Sequence, residues 1–154
     1  MAGTPLGGLP PTAPESGALL DRKFDRSSLA ALRNELSRYA AANGLTDLAL
    51  ANFVLAVNEI TTNAVRYAGG QGQLRLWRNG DELWCQVVDD GHGIPRRHLE
   101  QSRNRDPAHV SGHGLWLARH ICAGFEIETG RASGTRVLLR YALPSAARST
   151  DGSV

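Results

Sequence analysis

The spacing of apolar residues changes along the chain, and each change marks an element. Leu29, Leu32, Leu36 and Tyr39 recur at helical intervals behind Asp25, Ser27 and Ser28, any of which can cap a helix, and Asn43-Gly44 ends it. Thr46 or Asp47 opens a second, longer helix that runs to about residue 68 and is closed by Gly69-Gly70. Its stripe is Leu50, Phe53, Val57, Ile60 and Ala64. The period then falls to two. Leu74, Leu76 and Arg78 alternate with Arg75 and Trp77, Asn79-Gly80-Asp81 supplies a turn, and residues 82–89 continue as a strand, which predicts a β-hairpin. Residues 18–24 predict an edge strand ahead of the first helix. Residues 89–107 are rich in Gly, Pro and charge and read mostly as loop, with room for a short helical segment at 96–102. A helix over 114–123, a strand over 125–129, a turn at Ser133-Gly134 and a last strand over 135–143 complete the pattern.

Strands and helices intermix without regular βαβ alternation. The expected class is therefore α/β in content and an α+β two-layer sandwich in architecture: one mixed, mostly antiparallel sheet with helices on a single face. At 154 residues and 42% hydrophobic, the chain has material for one core. Residues 1–17 hold four of the seven prolines and four glycines, the composition of a disordered leader, and 144–154 read as a similar tail. The expected domain is 18–143.

Charge narrows the field only a little. Seventeen basic against fifteen acidic residues leave +2, too close to neutral to argue for nucleic acid or an anionic membrane surface. Cys85 and Cys122 lack CxxC or zinc-ligand spacing and read as buried, reduced thiols. No run of apolar residues approaches the roughly 20 that span a bilayer, and no secretion signal is visible at the N-terminus. The expectation is a soluble, cytoplasmic protein.

Four short motifs carry the candidate chemistry. Glu59 and Asn63 are four apart on the second helix, so both project from one face, with Asn52 and Arg66 nearby on the same flank. Next, Asp89 ends a strand and enters a loop with Gly91 and Gly93 at alternate positions; the carboxylate can accept from an exocyclic amine, and the glycines let a flat ligand approach the backbone. The third motif is Ser111-Gly112-His113-Gly114-Leu115, directly before a helix, where free N–H groups and the positive end of the dipole suit phosphate. It lacks the lysine of a P-loop and follows no strand, as a dinucleotide fingerprint would. The fourth is Gly134-Thr135 at the head of the last strand, whose hydroxyl could support Asp89 or a bound ring. Each motif alone is an ordinary helix flank or turn.

In this order and spacing the four resemble the nucleotide-binding boxes of the GHKL, or Bergerat-fold, ATPases over about residues 20 to 142. Within that family the pattern is most similar to the anti-sigma factor serine kinases typified by RsbW and SpoIIAB, which carry a histidine kinase-like ATPase domain. The resemblance implies ATP and Mg2+ as cofactors. It makes residues 55–64 an N box in which Asn63 holds the metal and Glu59 is the general base. Asp89, Gly91 and Gly93 become the adenine box, Gly112, His113, Gly114 and Leu115 the phosphate box, and Thr135 the last adenine contact. Arg103, Arg105 and His109 are the cations available to the lid. One position departs from the branch: Val110 stands where these kinases tend to carry a basic residue before the Ser-Gly. His92 is expected to face solvent, and Trp77, Trp84 and Trp116 to serve packing. The implied function is an anti-sigma factor that is also a protein serine kinase. Its implied partners are a sigma factor and a STAS-domain anti-anti-sigma protein, with homodimerisation and without direct contact to nucleic acid or membrane. The alternative is a non-catalytic ATP-binding regulator that sequesters a partner.

Overall fold

The computed structural model describes residues 17–67, 70–91, 113–130 and 134–144. The first strand, β1 (Leu20–Asp25), hands over to a helix through its last residue. Asp25 Oδ1 accepts from the backbone N–H groups of Ser27 at 2.9 Å and Ser28 at 3.2 Å, while Ser28 Oγ accepts from Asp25 N at 2.9 Å. This reciprocal cap closes a single 3-10 turn, Arg26–Ser28, from which α1 (Leu29–Ala42) continues. The helix buries Leu32, Leu36 and Ala40 and ends where Asn43 Nδ2 donates back to Tyr39 O at 2.8 Å.

The longest element is α2 (Asp47–Tyr67), whose buried stripe holds Phe53, Val57, Ile60 and Ala64 as the periodicity predicts. By length and composition its residues Asp47–Arg66 would also suit a membrane span, which the apolar runs of the sequence did not suggest. Here that stripe packs into the main core with residues of the sheet, so the helix acts as the central beam of one layer. The rest of the sheet comprises β2 (Gln71–Asn79), β3 (Glu82–Asp89), β4 (Gly124–Gly130) and β5 (Gly134–Ala142), with α3 (His113–Ile121) ahead of β4. The short helix expected at 96–102 lies outside the described residues.

The strand order is β1-β2-β3-β5-β4, and all four pairings are antiparallel. The expected single sheet and edge position of the first strand are thus observed, while the mixed character allowed for it is not: the described strands pair without a parallel step. Register decides which residues share a face, because directly opposed residues point the same way. Leu74 opposes Val87, Leu76 opposes Cys85, and Val87 and Cys85 oppose Val137 and Leu139. These six sit in one core with Leu32, Leu36, Phe53, Val57 and Ile60 of the helices. Each fully buried side chain of this kind contributes about 1.5–3 kcal/mol relative to exposure.

The alternate residues form the other face. Trp77 opposes Trp84, Gln86 opposes Leu138 and Trp84 opposes Arg140. Trp77, Trp84 and Leu138 make a second cluster separate from the helical one, with the two indoles 5.9 Å apart. The tryptophans are packing residues, as expected, and Trp116 stacks on His120 within α3 at 4.0 Å. Both cysteines are free thiols; Cys85 is fully buried but Cys122 only half-buried, and burial still pushes the Cys122 thiol up to about 12.

Candidate functional site

The site forms where β3 ends beside the head of β5. Asp89 and Thr135 are directly opposed, 46 residues apart in sequence, with Val87 and Val137 opposed one step inward on the same face. Gly134 makes this approach possible. Its φ is +76°, and a Cβ built on it would lie 2.2 Å from Asp89 O and 2.6 Å from Asp90 Cα, so only glycine fits. Thr135 is then held at 5% exposure with its backbone N–H donating to Asp89 Oδ1 at 3.2 Å. Gly91 N donates to the same oxygen at 3.0 Å.

These two hydrogen bonds converge on Oδ1, which fixes the carboxyl plane. Burial raises the Asp89 carboxyl above the usual carboxylate range, the bonds from Gly91 and Thr135 pull it back, and the neighbouring Asp90 charge adds to the rise. The balance is upward. A buried acceptor of this kind is costly unless a donor meets it, and here backbone donors already hold half of it.

Helix α2 supplies the opposite wall. Ile60, Asn63 and Ala64 face Val87, Asp89, Thr135 and Val137 across a narrow cleft of about 10 Å³, and Leu115 from α3 closes one side. Asn63 is 2% exposed, and neither its Oδ1 nor its Nδ2 has a hydrogen-bond partner. A buried primary amide left unpaired costs on the order of 1–3 kcal/mol for each unsatisfied group, so a fold that keeps one spends stability on something other than folding. Its amide oxygen is a hard donor of the type that Mg2+ takes, and its N–H2 can serve an anion. Among the described residues no cluster of three His, Cys, Asp or Glu stands ready for a metal, so a cation here would rely on Asn63 and on the oxygens of its own ligand. That donor set fits a magnesium–triphosphate and would not hold a bare ion.

The other sequence candidates distribute as follows. Glu59 lies one turn before Asn63, half-buried, and is not part of the cleft lining. His113 and Gly114 begin α3, where the first backbone N–H groups of any helix have no intrahelical acceptor, and Leu115 is 1% exposed within the cleft wall. Gly91 is in place beside Asp89. Gly93 and Gly112 lie outside the described residues, as do His92, Arg103, Arg105, His109 and Val110. The apolar walls, Ile60, Ala64, Val87 and Val137, went unremarked as site residues in the sequence. The signal for the valines was there, since i−2 from Asp89 and i+2 from Thr135 must share their face.

A cleft between a central helix and an antiparallel sheet, with an orphaned amide and a carboxylate-bearing strand end, meets a clear match in known proteins. The model of the histidine kinase-like ATPase domain family aligns with residues 23–141. The chain belongs to this family. A histidine kinase-like ATPase domain is an ATP-binding fold, and the five-stranded sheet with its helical layer is that fold. One similar structure is the histidine kinase domain of the blue-light-activated histidine kinase EL346 from Erythrobacter litoralis, 22% identical, with a TM-score of 0.50 over 74% of this chain and 62% of that one. The chain therefore spans less than two thirds of that relative. A mycobacterial sensor histidine kinase, MprB, is 16% identical with a TM-score of 0.50, and there the match covers 80% of this chain and 97% of the other. At these identities the likeness speaks for the fold alone. No curated protein matches the chain.

Proposed function

We propose that this histidine kinase-like ATPase domain is an anti-sigma factor with ATP-dependent protein serine kinase activity. It would bind a sigma factor in the cytoplasm and phosphorylate a STAS-domain anti-anti-sigma partner. The observation that carries the nucleotide half of this reading is the buried, unpartnered Asn63 amide facing Asp89 and Thr135 across the cleft. The kinase half rests on Glu59, one helical turn from Asn63, and on the resemblance of residues 55–64 to the N box.

The chain's own groups divide the work by chemistry. Asp89, anchored through Oδ1, offers its other carboxylate oxygen to the exocyclic amine of adenine, while Val87, Val137, Ile60 and Leu115 supply the apolar wall beside it. Asn63 Oδ1 would hold Mg2+, which when bound draws the phosphate oxygens together and offsets their charge. The N–H groups at the start of α3, from His113 onward, suit phosphate oxygens. Glu59 is the group to accept the proton of the partner's serine hydroxyl as it attacks the γ-phosphorus and the bond to the β–γ bridging oxygen breaks. A second reading, ATP binding without transfer, is favoured by Val110, which removes a cation from before the phosphate box.

Calorimetric titration with ATP, with and without Mg2+, tests the first half. Micromolar, magnesium-dependent binding that is lost in Asn63→Ala is expected; unaltered binding in that variant would remove Asn63 from the site. For the second half, Glu59→Gln should keep nucleotide affinity and lose radiolabel transfer to a STAS partner's serine. Transfer at the wild-type rate would exclude Glu59 as the base. Tight ATP binding with no transfer by the wild-type chain to any STAS partner would favour the sequestering regulator.

A further inference from the structure

Helices α1 and α2 pack together and are joined by the short connection 43–46, so they run antiparallel. At 100° per residue Ala51 and Ile60 point about 180° apart on α2, so the side bearing Ala51 is turned away from the sheet. On that side a groove of about 500 Å³ opens between the two helices, with half-buried Leu50 and Val54 in its floor. Beside it stands an apolar ridge. Leu48 and Leu55, seven residues apart on one flank of α2, are 72% and 49% exposed, the highest values for large hydrophobic side chains among the described residues.

Opposite charges mark the two ends of the groove. In an antiparallel pair the early part of α1 lies level with the later part of α2, which puts Arg33 near Asn58 and leaves Asp47 at the other end, roughly 15 Å away at 1.5 Å per residue. Neither charge has an ion pair or side-chain hydrogen bond among the described residues. Asp47 also has a φ of +52°, the one positive value at a non-glycine residue among those described, so its backbone is held in a costly conformation. An acidic peptide would suit Arg33 and be opposed by Asp47, and a small apolar ligand would fill the floor but leave the ridge in water. A groove beside a ridge, with a cation at one end and an anion at the other, is its own complement about a two-fold axis. With the two α2 helices antiparallel and the axis near the level of residues 52–53, the ridge of each enters the groove of the other and each Asp47 comes level with the opposite Arg33. Ala51, close to that axis, is small enough for the helices to approach to the usual 8–10 Å. We propose that a second copy of this chain docks on the α1–α2 groove, forming an isologous dimer in which Leu48 and Leu55 fill the second copy's groove and Arg33 pairs with its Asp47. The nucleotide cleft, on the other side of α2, stays open.

Sedimentation equilibrium of the full chain over a concentration series tests this, with a dimer expected. Arg33→Asp and Asp47→Lys should each weaken it at least about tenfold, because two pairs of like charges then face each other. An equimolar mixture of these two variants should recover a heterodimer, and the double variant a homodimer, since every pair is again of opposite sign. Lysine tolerates the left-handed backbone less well than aspartate, so Leu48→Glu, on the exposed ridge, provides a second route: a monomer with unchanged helix content by circular dichroism. A wild-type chain that stays monomeric throughout overturns the proposal. So does a dimer indifferent to Arg33→Asp and Leu48→Glu, which would place the contact elsewhere, or a mixture of folded Arg33→Asp and Asp47→Lys chains that fails to pair.

Discussion

The two faces of the sheet each bury polar atoms without partners, but they do so in different company. On the helical face the Asn63 amide is enclosed by groups with an obvious use, a carboxylate held by two backbone donors and a threonine at a strand head. On the outer face the Trp84 indole and the Arg140 guanidinium are enclosed by aromatic and aliphatic surface, with an ion pair to Glu82 at the rim. The first arrangement suits a small polar ligand, whereas the second is walled by the sheet's own aromatic and aliphatic side chains. An unpaired buried group does not by itself name its ligand; the chemistry of its neighbours does.

The comparison can be broken most forcefully at Gly134. Gly134→Ala should destabilise the protein by about 3 kcal/mol or more, because the added methyl meets the Asp89 backbone and φ is positive. Thermal unfolding checks it, and a loss under about 1 kcal/mol would mean that the β3–β5 junction relaxes easily. Next comes Asn63→Ala, expected to weaken ATP by on the order of a hundredfold while leaving the melting temperature of the nucleotide-free protein unchanged or higher, since an unpaired amide is removed. A lower melting temperature would show the amide to be structural.

Asp89→Asn sharpens the same point through pH. Because burial raises the Asp89 carboxyl, its protonated form favours the fold, and that contribution is present at low pH and lost as pH rises through the raised value. The variant should therefore be more stable than wild type at neutral pH and no more stable in acid. Its ATP affinity should fall about tenfold, because an amide can present a donor where the adenine amine needs an acceptor. Wild-type affinity should likewise decline on acidification, at a higher pH than an ordinary carboxylate would dictate. The smallest effect is on the outer face: Trp84→Phe removes an unmet N–H with modest loss of volume and should change stability by less than about 1 kcal/mol, with nucleotide affinity intact.

Much of the helical face was legible beforehand, for reasons these residues display. Leu29 to Tyr39 and Leu50 to Ala64 repeat at helical spacing because each helix offers one face to the sheet, and the hairpin turned where Asn79-Gly80-Asp81 said it should. Asp89 and Thr135 were picked out because glycines stand beside them. That Gly134 is pressed against the Asp89 carbonyl was not legible, since it depends on a pairing 46 residues apart. Nor was the orphaned state of the Asn63 amide, which is a property of what does not surround it. The outer face escaped for a simpler reason. Alternation assigns Trp77 and Trp84 to a side of the sheet but carries no information on what lies over that side.

The strand order carries a consequence for how the domain is made. Strand β5 is the last of the described strands in sequence yet sits between β3 and β4, bearing one side of the cleft on its first two residues. A nascent chain that has completed the described helices and the other four described strands still has an open seam down its sheet and no Thr135 to clasp Asp89. On the proposed reading of the site, nucleotide capture waits for that strand to slot in, so ATP binding doubles as a report that the sheet has closed.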